Sequence, residues 1–193
     1  MRLIVGLGNP GRQYLATRHN VGFAALEVLA RLHGVSLGLM RFDSLIGRGR
    51  LHGTDVLLAL PQTYMNLSGG AVKKIVAYFR VGLADLLVLH DDLDIESGRI
   101  KVAAGGGAGG HKGVASIIAA LGSEEFARIR IGIGRPPAGW ETESYVLGRF
   151  SPEEAELMDK VLASAARAAE VFVTEGVAAA QAQYNRKALN VNE

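Results

Sequence analysis

The sequence predicts an α/β protein folded as one domain, residues 1–193, around a central β-sheet flanked by α-helices. Three observations predict it. Residues 3–6, 56–60 and 86–89 are short, continuous apolar runs of the kind that form strands buried on both faces. Between them, segments starting at Val21, Ser68 and Val114 carry apolar residues at helical spacing. The chain has 193 residues and no Pro/Ser-rich linker or internal repeat, so it has the length for one compact core.

The first strand, residues 3–6, stops in a turn made of Gly8, Asn9, Pro10 and Gly11. Helical spacing begins only at Val21 and continues through Ala24, Ala25, Val28, Leu29 and Leu32, with Asn20 the candidate N-cap and Gly34 the stop. The polar stretch between turn and helix delivers His19 one residue ahead of that cap. Residues 42–50 read as one strand, and residues 56–60 as another that ends at Pro61. A loop with Tyr64, Met65 and Asn66 follows. Ser68 is the candidate N-cap of a helix whose buried face carries Val72, Ile75, Val76 and Phe79.

Residues 86–89 form a third buried strand that empties into His90-Asp91-Asp92-Leu93-Asp94, where Asp92 and Asp94 suit turn and capping positions. After a strand at 99–103, the glycine-rich stretch 105–113 opens a helix marked by Val114, Ile117, Ile118 and Leu121. Only glycine lets peptide N–H groups approach a ligand so closely, so this loop suits recognition of an anion or a backbone. Residues 128–134 place Arg128 and Arg130 on one strand face and Ile129, Ile131 and Ile133 on the other, and guanidinium groups on such a face would suit phosphate. Pro136-Pro137 starts a loop through Trp140. Ser151-Pro152-Glu153-Glu154 is a capping box with proline at N1. It opens a long helix that Gly176 breaks, and a short Ala-rich helix ends the chain.

Composition excludes several classes. There is no cysteine, hence no disulfide and no thiolate metal site. No apolar run reaches the roughly 18 residues of a membrane span and no export signal opens the chain, so a cytoplasmic protein without a membrane partner is expected. Residues 1–150 carry 17 Lys and Arg against 12 Asp and Glu, whereas residues 151–193 carry 4 against 7. The body is therefore mildly basic, compatible with a phosphate-rich partner.

Gly6, Gly8 and Gly11 match the G-x-G-x-x-G dinucleotide fingerprint, with Glu27 near the position of a ribose-binding acid. In that motif, however, the helix starts within the glycine turn, and here it starts at Val21. An EF-hand begun at Asp92 would need glycine at 97 and an acid at 103, where the chain has Ser97 and Ala103. Lys112-Gly113 lacks the Lys-Ser/Thr pair of a Walker A loop. What remains after predicted strand ends is a set of loops holding Asn9 and His19, Tyr64 and Asn66, Asp91, and the glycine run up to Lys112. A histidine, an acid and amides suit a base-activated water attacking a carbonyl.

These stretches also occur together in a known family. Gly6-Leu7-Gly8-Asn9-Pro10-Gly11, Tyr14 with Arg18-His19-Asn20, Thr63-Tyr64-Met65-Asn66-Leu67-Ser68-Gly69, His90-Asp91-Asp92-Leu93-Asp94, Gly109-Gly110-His111-Lys112-Gly113 and the Arg128 to Gly134 strand resemble bacterial peptidyl-tRNA hydrolases, in family order. The resemblance implies a phosphorylase/hydrolase-like α/β domain with a mixed sheet, acting as a monomer without metal or cofactor. It also implies hydrolysis of the ester between a peptide and the 3′-terminal ribose of tRNA, which recycles prematurely released peptidyl-tRNA.

By position, His19 resembles the general base, Asp91 its carboxylate, and Asn9 the residue that separates N-blocked from free aminoacyl-tRNA. Tyr14, Tyr64 and Asn66 match substrate contacts, and Met65 a residue supporting the site. Lys101 and Arg130 fall where basic residues meet tRNA. Lys112 departs from the family pattern, which usually has asparagine there. Lysine can meet phosphate but offers no carbonyl acceptor. Some relatives of this fold are RNA-binding splicing factors in plastids that hydrolyse nothing; His19, Asn9 and Asp91 argue against that reading.

Overall fold

A computed structural model describes residues 1–185. Its centre is β1 (Arg2–Gly6), whose Leu3, Ile4 and Val5 are all fully buried. On one side of β1 lie β4 (Thr54–Pro61), β3 (Ser44–Leu51) and β2 (Leu39–Arg41), in that order outward. On the other lie β5 (Leu86–Asp92), β7 (Ala127–Gly132) and β6 (Ile100–Ala103). The four inner strands β4, β1, β5 and β7 are parallel, and the pairings β2–β3, β3–β4 and β6–β7 are antiparallel, so the sheet is mixed as expected.

The period of two along β1 divides the core. Leu3 and Val5 pack with Val72 and Ile75 of α2 (Ser68–Phe79) and with Val114 and Ile117 of α3 (Lys112–Leu121). Ile4 faces the other layer, with Leu26 and Leu29 of α1 (Val21–Leu32) and Val161 and Ala165 of α5 (Pro152–Glu175). A short α6 (Val177–Tyr184) follows the Gly176 break. No helix among the described residues is long and apolar enough to cross a membrane.

The glycines of the first turn have a packing role. A Cβ on Gly6 would stand 2.4 Å from the Gly22 carbonyl oxygen, and one on Gly22 would stand 2.4 Å from that of Leu89. Two glycines thus let α1 lie directly on β1 and β5, which explains the fingerprint without a nucleotide. That close approach sets the first residue of α1, and His19 just before it, over the carboxyl end of β5.

Several elements differ from expectation. The strand expected at 42–50 is β3, which starts two residues later: Phe42 and Asp43, at φ 55° and 53°, form a two-residue turn between β2 and β3. The usual residues of such turns are Asn-Gly or Asp-Gly, so Phe-Asp carries no hairpin signal. β5 runs on to Asp92, so Asp91 is a strand residue rather than a loop residue. After the loop through Trp140, residues to which no element was assigned form α4 (Thr142–Val146). Ser68 is the first residue of α2, after Leu67 in the cap position, and its Oγ is buried without a partner among the described residues. The capping box at Ser151 is present in full.

Candidate active site

His19 sits in a single 3-10 turn, Arg18–Asn20, held from both sides. Behind it, the Arg18 guanidinium donates to the Arg149 carbonyl at 2.8 Å and to the Glu154 carboxylate at 2.8 Å. Glu154 is the same residue that closes the Ser151 capping box. The loop carrying the imidazole is therefore pinned to the first turn of α5.

In front, His19 Nδ1 lies 2.8 and 2.9 Å from the two oxygens of Asp91. A carboxylate accepts only, so Nδ1 carries a proton, and in the neutral ring Nε2 then keeps its lone pair. Asp91 is 3% exposed. Burial alone would push its carboxyl up, but the imidazoles of His111 and His19, both hydrogen-bonded to it, hold it well below the usual carboxylate range.

The second imidazole on Asp91 was not anticipated as a site residue. His111 is the N-cap of α3, and its Nδ1 accepts from the backbone N–H groups of Gly113 and Val114 at 3.1 and 3.2 Å. The proton must then be on Nε2, which donates to Asp91 Oδ1 at 2.8 Å. A histidine at the end of a glycine run, where an amphipathic helix begins, was the available signal; the glycines suggested anion binding instead. Gly113 makes room for both neighbours, because a Cβ there would stand 2.5 Å from Met65 Sδ, which would have to move, and 3.1 Å from His111 Cε1.

Asn9 is oriented by two other loops. Its Oδ1 accepts the Met65 backbone N–H at 2.8 Å. Its own backbone is clasped by the Asn20 side chain, which accepts from the Asn9 N–H and donates to the Asn9 carbonyl, each at 3.0 Å. Asn20 occupies the N-cap position of α1 but makes no capping bond. With Oδ1 engaged, the part of Asn9 left to offer is its NH2.

Asn9, Tyr14, His19, Tyr64, Met65, Asn66, Asp91, His111 and Lys112 line one cleft of about 690 Å³, with Glu143 and Val146 of α4 on its far wall. Lys112 reaches Glu143 across it at 3.5 Å, an exposed pair that screening makes weak. Tyr64 is 62% exposed, a free aromatic face at the rim.

Lys101 and Arg130 do not line the cleft. They are register partners on β6 and β7, and Arg130 pairs with Asp92, which does line it, at 2.7 Å. Arg128 is not on a solvated phosphate-binding face: it is 3% exposed and donates to the carbonyls of Gly106 and Gly107.

His19, Asp91 and His111 place ligand atoms within 4.8 Å of one another, close enough for a cation. Their nitrogens facing Asp91 are engaged as donors, however, so the set is already satisfied by its own hydrogen bonds.

The parallel-centred α/β fold places a buried histidine–aspartate pair in a cleft at the carboxyl ends of its strands, an arrangement suited to the base-activated water of a hydrolase. Residues 3–192 match the peptidyl-tRNA hydrolase family. The peptidyl-tRNA hydrolase of Symbiobacterium thermophilum is 50% identical over 186 residues, covering 95% of this chain and 98% of that one. That of Desulforudis audaxviator is 51% identical, covering 96% and 93%. The crystal structure of peptidyl-tRNA hydrolase from Acinetobacter baumannii superposes with a TM-score of 0.92 at 39% identity, covering 97% and 96%. A crystal structure of a peptidyl-tRNA hydrolase in complex with N-propanol gives 0.93 at 39% identity, covering 98% and 97%. The chain belongs to the peptidyl-tRNA hydrolase family.

Proposed function

We propose that this protein hydrolyses the ester joining a peptide to the 3′-terminal ribose of tRNA, with His19 as general base, Asp91 as its carboxylate and Asn9 as the selector. One observation carries the reading: Asp91 holds His19 by Nδ1, leaving Nε2 as the ring nitrogen available to a water in the cleft. Nε2 takes a proton as the water oxygen attacks the ester carbonyl. The tetrahedral oxyanion is steadied by amide donors, Asn66 being the exposed one. Collapse breaks the bond to the ribose oxygen, which receives the proton from Nε2. Asp91 stabilises the imidazolium meanwhile and need not take the proton itself.

Asn9 gives selectivity through its NH2. A peptide or N-acyl group offers a carbonyl oxygen to that donor, whereas a free aminoacyl ester offers an ammonium, which can only donate. Tyr14 and Tyr64 supply aromatic contacts, and Met65 holds Asn9 through its backbone. Lys112 at the rim, and Lys101 and Arg130 on the neighbouring sheet edge, meet tRNA phosphate. The protein works as a monomer in the cytoplasm and needs no cofactor.

The test is cleavage of N-acetyl-aminoacyl-tRNA with and without EDTA. His19→Ala should lose about 10²–10⁴-fold in kcat, and the chelator should leave the wild type unchanged. A variant retaining most of its rate would remove His19 as base; inhibition by EDTA would point to a metal-activated water.

A further inference from the structure

We propose that His33, His52 and Glu170 form a binding site for a divalent transition-metal ion, best matched to zinc, at the end of α1 opposite the His19 cleft. The three come from separate elements: His33 directly follows α1, His52 is in the turn between β3 and β4, and Glu170 is on α5. His33 Nε2 donates a 2.7 Å hydrogen bond to Glu170 Oε1, and zinc would take the place of that shared proton. The His52 ring stands edge-on to that of His33 with centroids 5.4 Å apart, and the ligand atoms of all three lie within 4.8 Å of one another.

The surroundings favour a held ion over a chance meeting of side chains. His33 and Glu170 are mostly buried, 17% and 23% exposed at their side chains, so little rotamer freedom is left to lose. His52 is exposed, but its backbone is defined by a two-residue turn with Gly53, at φ 48° and 86°. Asn-Gly is the common pair in such a turn, and here the first place holds an imidazole.

Two imidazoles and one carboxylate are borderline and hard donors that together suit zinc. Metal–ligand bonds of about 2.0–2.2 Å put tetrahedral ligand atoms roughly 3.3 Å apart. The His33–Glu170 separation of 2.7 Å would widen slightly, and all three ligand atoms already lie within 4.8 Å of one another, so only side-chain adjustment is needed. A water would complete the shell. Because α1 spans 12 residues, at about 1.5 Å each the site is on the order of 18 Å from the cleft. An ion there would tie α1, the β3–β4 hairpin and α5 together. It would bind the native chain only, and so stabilise it without entering the reaction.

Tag-free protein, stripped of metal, is titrated with zinc by calorimetry and equilibrium dialysis in excess magnesium. Thermal unfolding and the histidine ring resonances are followed in parallel. The wild type should bind one zinc per chain and unfold several degrees higher, with the His33 and His52 signals displaced. Exposed His52→Ala should weaken binding by more than about tenfold and abolish the thermal gain, with ester cleavage unchanged. Glu170→Gln should repeat the loss of affinity. Absence of stoichiometric binding overturns the proposal. So does wild-type affinity in both variants, or zinc that displaces the His19 and His111 signals and inhibits cleavage, which would put the ion in the cleft.

Discussion

His111 is bonded to Asp91 by a 2.8 Å hydrogen bond from ring Nε2 to Oδ1, while its Nδ1 caps α3. One ring therefore secures both the carboxylate and the helix beside it. The two roles can be separated. His111→Asn keeps a good N-cap but is too short to reach Asp91, so kcat should fall about 10–100-fold, the worth of a hydrogen bond to a charged group, with little loss of stability. His111→Ala should lose the same activity and about 1 kcal/mol of stability in addition, from the missing cap. Steady-state kinetics with urea unfolding on both variants decides it; equal stabilities would remove the capping role.

Asn9 is turned by Met65 so that its NH2, not its carbonyl, is left for substrate. Asn9→Ala should therefore slow N-blocked substrate more than free aminoacyl-tRNA and narrow the preference by about tenfold. Asn9→Asp should narrow it further, since a carboxylate attracts an ammonium. The measurement is the ratio of kcat/KM for N-acetyl and unblocked esters on the same tRNA. A ratio that stays put in both variants would assign selection elsewhere.

Much of this was legible in the sequence, for physical reasons that can be named. The inner strands are buried on both faces and so read as unbroken apolar runs, and α5 declares its start through Ser151, Pro152 and Glu154. Asn9 and Asp91 stood out because each departs from an apolar pattern at a strand end, and His19 because it comes just ahead of a helix. The Phe42–Asp43 turn was hidden because its residues do not prefer positive φ. α4 was hidden because five residues are too few for helical periodicity to show. His111 was visible as a residue but not as a partner, since its bond to Asp91 spans two elements that only tertiary packing brings together.

Lys101 is exposed on β6, outside the cleft and beside Arg130. If it meets tRNA phosphate, Lys101→Ala should raise KM severalfold at constant kcat and reduce the salt slope of binding by about one. Arg130→Ala should raise KM too, but it also frees Asp92 at the cleft wall and so should lower kcat. Titration of both variants with uncharged tRNA at several salt concentrations checks this. A Lys101 variant with the wild-type slope would show that the edge carries no phosphate contact.

His90 gives the fold a marked acid sensitivity. Its Nδ1 donates to the Asp91 carbonyl at 2.7 Å, and its Nε2 is buried without a partner among the described residues. Burial pushes its pKa down to about 3. The unfolded chain takes up a proton at this ring below about pH 6.5, while the folded chain stays neutral there until about pH 3. Between those values the unfolded state binds more protons, so stability falls as pH falls, by up to about 1.4 kcal/mol per unit. Asp91 has its carboxyl depressed, so its contribution is lost as pH falls through the unfolded value of 3.8, at the acid end of this window and below pH 4. Urea unfolding between pH 6 and pH 4 should therefore show a steeper loss for the wild type than for His90→Gln, which does not titrate. Parallel curves would mean that the ring is protonated in the folded protein.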